Sequence, residues 1–247
     1  MGNIHISLGA EQLFTVFGIP ITNTLITSVL VAFGLAIFAY YVGKRAKFVP
    51  GKVQTAVEAL FGLVLDYIEE TLESKLLARR YFPLLMTIFL FVFVANMVEF
   101  APGIGSIGFF EGAHNEKFSP LFRSVNTDFN MTLALALISF FVIEMSGVVV
   151  LGFLKYAGKF VNFKSVLGFM VGIMELFSEI ARLISFSFRL FGNIFAGEVL
   201  IMVATAFIPL FLPVPLMLFE VFVGFIQAAI FALLTLFFIK IAIMEPH

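Results

Sequence analysis

Residues 175–198 read ELFSEIARLISFSFRLFGNIFAGE, apolar enough to sit in a bilayer and yet carrying five charges. Charges in such a place are costly and usually functional. Wound at about 100° per residue, Glu175, Ser178, Arg182, Ser185, Arg189 and Asn193 fall on one face and form a polar stripe. The other faces are Leu, Ile and Phe, so the helix reads as one wall of a polar path with its back to lipid or protein. Glu198, nine residues beyond Arg189, lies about half a turn away in angle and faces a different neighbour. A guanidinium cannot give up its proton at accessible pH, whereas a partly desolvated carboxylate can trade one.

The apolar run around this stretch extends over 165–207. As a helix it would rise about 60 Å, twice a hydrocarbon core, so it must tilt, lie partly along the membrane plane or break, with Gly168, Gly172, Gly192 and Gly197 as soft points. Pro209, Pro213 and Pro215 then force a turn. The next run, 216–244, holds Glu220 and Gln227 on one face and Lys240 near its end. The two runs predict a hairpin of long oblique helices. No internal repeat is evident, which weakens a transporter built from duplicated halves.

The remaining composition agrees. Hydrophobic residues make up 61% of the chain and charged residues 13%, too few for a soluble domain's surface. The fold class is therefore an all-α polytopic membrane protein of about five membrane helices. A first span is expected at 21–42, with Lys44, Arg45, Lys47 and Lys52 marking its cytoplasmic flank and the N-terminus outside. Residues 53–80 alternate charged and apolar positions at helical spacing and read as an amphipathic helix on the cytoplasmic surface, either a simple interfacial anchor or a docking site for another subunit. A second span, 81–100, holds Asn96 and Glu99 near its far end, and an outer loop, 101–128, carries Glu111, His114, Glu116, Lys117 and Arg123. A third span, 129–154, contains Glu144 and ends at Lys155, Lys159 and Lys164, a second cytoplasmic flank. The C-terminus is then cytoplasmic. No signal peptide is read at the N-terminus, which lacks a basic leader.

Several chemistries are excluded. The net charge of −1 gives no reason to expect nucleic acid, the absence of Cys removes thiolate chemistry, and His5, His114 and His247 have no metal-ligand spacing. No phosphate loop, nucleotide fingerprint or nucleophile elbow is present, so no cofactor and no catalytic residue are expected. Moving protons or ions suits these residues. Arg189 has no carboxylate at i±3 or i±4 and must find its counter-charge on another helix or another chain, while Arg182 has Ser178, Glu179 and Ser185 within local reach. The carboxylates Glu144, Glu175, Glu198 and Glu220 read as a relay.

The tract SFRLFGNIFAGE at 187–198 resembles the signature of subunit a of the F-type ATP synthase membrane sector. The resemblance extends to Glu175 and Ser178, to Glu220 and Gln227, and to FPLLMTIFLFVFVANMVEF at 82–100, while the first 80 residues match in layout only. It implies a stator facing a ring of small subunits that each carry a membrane carboxylate, with peripheral-stalk subunits and, indirectly, a catalytic head as further partners. Protons would enter by one half-channel, ride round on the ring and leave by a second. Arg189 takes the position of the family's essential arginine, Asn193 and Gln227 match polar positions beside it, Glu198 and Glu220 match the pair lining the outer half-channel, and Glu175 and Ser178 match the cytoplasmic side. Some members place His or Gly at one position of the outer pair; here both are Glu, a pair that can share a proton. Glu144 is assigned to the inlet or to packing.

A stand-alone transporter or channel is the alternative, and it would conduct without partners. An intramembrane enzyme lacks a constellation, and a structural anchor would tolerate Arg189→Lys. The carboxylates favour H⁺ over Na⁺. A bacterial inner membrane is favoured over a mitochondrial one.

Overall fold

The computed structural model describes residues 10–16, 18–100, 107–111, 117–160, 166–209 and 211–244. His5, His114, Glu116, Lys164, His247 and the extreme N-terminus lie outside the described residues. A short antiparallel hairpin, β1 (Gln12–Val16) and β2 (Ile19–Thr22), leads into α1 (Asn23–Lys44). There follow α2 (Lys52–Leu72), α3 (Lys75–Val98), a second hairpin of β3 (Gly108–Glu111) and β4 (Lys117–Pro120), and a 3₁₀ turn at Val125–Thr127. The chain then runs through α4 (Phe129–Leu151), α5 (Phe153–Phe160), α6 (Val166–Phe207) and α7 (Pro213–Ile243). Among the described residues five helices, α1, α3, α4, α6 and α7, are long and apolar enough to cross a membrane, and the fold class is all-α.

The 42 residues of α6 form one unbroken helix, so the glycines expected as soft points do not interrupt it. At 1.5 Å per residue it rises about 63 Å, and without a break it must run obliquely or project beyond the hydrocarbon. Pro213, at the first turn of α7, needs no amide partner there and starts the returning helix.

The joint between α2 and α3 falls at Glu73 and Ser74, not at Arg80 and Tyr81. Glu73 takes a left-handed backbone (φ 53°), and the Ser74 hydroxyl accepts from the Leu77 amide at 3.4 Å. The charges of Lys75, Arg79 and Arg80 hide this boundary in the sequence, because long cationic side chains ride on the first turns of a membrane helix with their heads in water. Glu73 reaches Lys240 in the last turn of α7 at 3.0 Å. α2 lies against α3 and α7 through Ile68 and Leu72, with Phe61 edge-on to Phe82.

The bundle centres on α7, which packs against α3, α4 and α6. Its core runs from Ala78, Tyr81 and Leu85 on α3 through Ala136 and Ile143 on α4 to Leu190 and Ile194 on α6 and Ala228, Phe231 and Ile239 on α7. Large apolar side chains such as Phe33, Phe141, Phe177 and Phe222 are exposed, as befits lipid-facing positions. α1 inverts the soluble pattern: Asn23, Thr24, Thr27 and Ser28 are buried while its aromatics face outward. Thr24 donates to Asp128 at 2.8 Å, Asp128 caps α4 by accepting from the Asn130 amide at 3.0 Å, and Asn23 donates to the Pro120 carbonyl at 3.3 Å. This polar knot fixes α1 to the start of α4.

Phe186 on α6 is 3% exposed and sits 5.2 Å from the Phe231 ring and 5.4 Å from that of Phe238. Phe186→Ala is expected to destabilise the chain by about 3 kcal/mol, read as a lower midpoint of unfolding by dodecyl sulfate in mixed micelles. Phe177→Ala, at a position 68% exposed, is expected to leave the midpoint unchanged.

Candidate functional site

The polar side chains fall into two groups at opposite ends of α6, with Arg189 between them. Counted along α6, Glu175 lies about 21 Å on one side of Arg189 and Glu198 about 13 Å on the other.

Ser178, Ser185, Arg189 and Asn193 are exposed on the outward face of α6. Arg189 Nη2 donates to Ser185 Oγ at 3.5 Å, the limit of a hydrogen bond. Among the described residues no carboxylate is ion-paired to it. Ser178, Arg182, Ser185 and Arg189 line the polar side of a cavity of about 220 Å³, closed by Phe186, Leu234 and Phe238. Arg182 is held locally: its Nη1 lies 2.7 Å from Glu179 Oε2 and its guanidinium stacks 4.0 Å over the Phe238 ring.

At the far end of α6, Glu198 and Glu220 come together. The Glu220 carboxylate rests directly on Gly197, in the space a Cβ there would take, so a larger residue would displace it. Glu198 Oε2 accepts from Arg123 Nη2 at 3.3 Å. Glu99, which ends α3, stands beside Ser124 within the fields of Glu198, Glu220 and Arg123. The centre thus gathers Glu198 and Glu220 about Glu99, with the Arg123 guanidinium paired to Glu198. Next to it Asn126 donates to Asn96 at 2.6 Å, and Asn96 donates to the Gly224 carbonyl at 3.0 Å. Gln227 is buried on the same face of α7 as Glu220 and Gly224. Glu99 Oε2, Asn126 Oδ1 and Glu220 Oε1 are buried without a hydrogen-bond partner among the described residues. Buried polar atoms of this kind are met by water, so the cluster is suited to a wet, proton-accessible pocket.

At the other end α5 lies across the start of α6. Lys159 on α5 is 2.5 Å from Glu175 and 3.7 Å from Glu179. The Tyr156 hydroxyl donates to Glu144 Oε2 at 2.9 Å. Burial, and next the hydrogen bond to Glu144, push this phenol above its ordinary range, so it remains a donor. Glu144, assigned from the sequence to the inlet or to packing, stands in this second group beneath Tyr156.

Glu99, Arg123, Lys159 and Tyr156 carried no site role in the sequence, and Glu179 stood there only as a neighbour of Arg182. Their signal was weak: a carboxylate in the last turn of a span, a cation in a polar loop, and residues of a flank that counted only as positive charge. The structure adds the partners.

Comparison with known proteins gives the same direction. The family model described as ATP synthase A chain matches residues 24–240. The ATP synthase subunit a of Campylobacter curvus (strain 525.92) is 32% identical over 219 residues, 88% of this chain and 89% of that protein. That of Campylobacter concisus (strain 13826) is 32% identical over 206 residues, 83% of each chain. That of Helicobacter pylori (strain Shi470) is 31% identical over 220 residues, 89% and 88% of the two chains.

The seat of Glu220 on Gly197 is testable by a double-mutant cycle. Gly197→Ala alone is expected to destabilise the purified chain, and the same change in a Glu220→Ala background to cost far less. The coupling should exceed about 1 kcal/mol, measured by unfolding in mixed micelles.

Proposed function

The chain belongs to the ATP synthase A chain family, a multi-pass membrane subunit of the proton-translocating sector of that enzyme, and on that footing we propose that it is the stator of a rotary proton path. It supplies two offset half-channels that load and unload a carboxylate carried by a rotating ring of small subunits. The observation that carries this reading is the state of Arg189. It is exposed on a helix that crosses the membrane, and among the described residues its side chain is hydrogen-bonded only to a serine hydroxyl. A permanent cation in lipid is costly unless an anion meets it, so the position calls for a carboxylate brought by a partner.

The two polar groups support the half-channel division. The Glu99, Arg123, Glu198 and Glu220 cluster, with Asn96 and Gln227, forms the outer half-channel. The groove of Ser178, Arg182, Ser185 and Arg189, running toward Glu175, Glu179 and Glu144, forms the cytoplasmic one. Leu190 and Ile194, each 1% exposed, fill the inner side of α6 between them, which disfavours a through-path within the chain and hence a stand-alone transporter or channel. Arg189 holds the deprotonated ring carboxylate and bars direct leakage; Asn193, exposed one turn on, faces the same ring. The chain lies in an inner membrane, N-terminus outside and C-terminus cytoplasmic, and peripheral-stalk subunits complete the stator.

The energetics demand such a device. One proton crossing 100 mV releases about 2.3 kcal/mol, far less than one ATP requires, so several crossings must be accumulated mechanically.

In the reconstituted complex Arg189→Ala is expected to abolish ATP-driven proton pumping while passive flux through the membrane sector is kept or increased. Arg189→Lys should also lower pumping by more than about tenfold, because an ammonium lacks the planar bidentate fork. Unchanged pumping in Arg189→Ala would refute the assignment.

A further inference from the structure

The cytoplasmic-side cluster contains more than the proposed path requires. α5 is docked by two close contacts: the Tyr156 ring fills the space a Cβ on Gly147 of α4 would take, and the Phe160 carbonyl does the same at Gly172 of α6. α5 is therefore seated on both neighbours at positions where only glycine fits. That seat places Lys159 between Glu175 and Glu179, with Arg182 on the far side of Glu179 and Glu144 under the Tyr156 hydroxyl. Glu179 is 3% exposed, so this carboxylate is turned inward while Glu175 stands nearer the surface.

Resting on the half-channel reading above, we propose that Lys159 is a positioning residue for proton discharge, its ammonium holding Glu175 and Glu179 ready to release protons at the cytoplasmic mouth. Three carboxylates alone would retain a proton between them, since like charges disfavour the ionised form. One ammonium 2.5 Å from Glu175 and 3.7 Å from Glu179 opposes this for that pair. A proton that comes along the Arg189 groove is accepted briefly and passed outward. Besides Lys159, the charged and titratable groups that bear on the pair are Glu144 from α4, Tyr156 from α5 and Arg182 from α6. Of these, Arg182 is committed to Glu179 and to the Phe238 ring. Lys159 is the cation shared by both.

The sign follows. Removing the ammonium raises the proton affinity of the pair, so protons are taken up from a more alkaline cytoplasmic side and released to it more slowly. In the reconstituted complex Lys159→Met is expected to move the cytoplasmic-pH profile of ATP-driven pumping upward by about one to three units, the range an opposite charge at this distance sustains. The external-pH profile should stay in place, and Lys159→Arg should resemble the parent. Because this chain has no cysteine, Lys159→Cys offers a second test in the same assembled complex: aminoethyl methanethiosulfonate restores an ammonium there and should return the profile, whereas the neutral methyl reagent should not.

An unshifted profile in both variants, with or without reagent, would overturn the proposal and leave Lys159 a packing residue. That result is distinct from failure of the half-channel reading, which shows as unchanged pumping in Arg189→Ala.

Discussion

A guanidinium in a bilayer must be neutralised by something, and that requirement governs the arrangement of this chain. Glu198 has Arg123, Glu179 has Arg182, and Glu175 has Lys159. Arg189 has a serine at 3.5 Å. No burial hides it: the helix turns it outward, beside Ser185 and Asn193, away from the carboxylates of its own bundle. The missing anion is thus left for a neighbour to supply, and the path of α6, with Glu198 half a turn away in angle, follows from keeping Arg189 and Glu198 on different sides of one helix.

Holding polar groups inside while apolar ones face lipid requires close helix contact, because lipid gives no hydrophobic drive for helices to associate. Glycine supplies that contact at the points that matter. Gly197 admits the Glu220 carboxylate against α6, and Gly147 and Gly172 admit α5. Hydrogen bonds to backbone and side chain complete the joints, as where Asn96 reaches from α3 to the Gly224 carbonyl of α7. The inverted α1, polar within and aromatic without, is held by the same means at its first turns.

The helical stripe from Glu175 to Asn193, the length of α6, and the face shared by Glu220 and Gln227 were legible because helical periodicity alone fixes which residues share a side. The same residues carried the family resemblance. What periodicity cannot reveal is pairing between elements distant in sequence: Arg123 with Glu198 across 75 positions, or Asn96 with Gly224 across 128. Those depend on the loop before α4 folding back over the bundle, and nothing in a run such as FSPLFRSVNTD announces it. Glu144 shows a related limit. Its position within a span was plain, but which end it served was set by Tyr156 on α5, an eight-residue helix that counted in the sequence only as a basic flank.

The two ends of the path are built with opposite electrostatics, and this asymmetry has a mechanical meaning. At the Glu198 end Glu99 lies within the fields of Glu198, Glu220 and one guanidinium, Arg123, and several oxygens there have no hydrogen-bond partner among the described residues. Crowded carboxylates with a single counter-charge favour holding a proton among them. At the α5 end two cations, Lys159 and Arg182, contact the pair Glu175 and Glu179, and those cations oppose the retention of a proton that burial and like charge favour. In the rotary reading proposed above, a ring carboxylate moving between these ends meets differently compensated carboxylates on its two sides, with Arg189 between them. On that reading direction comes from the gradient, and the side chains facing each end set how readily it gives or takes a proton.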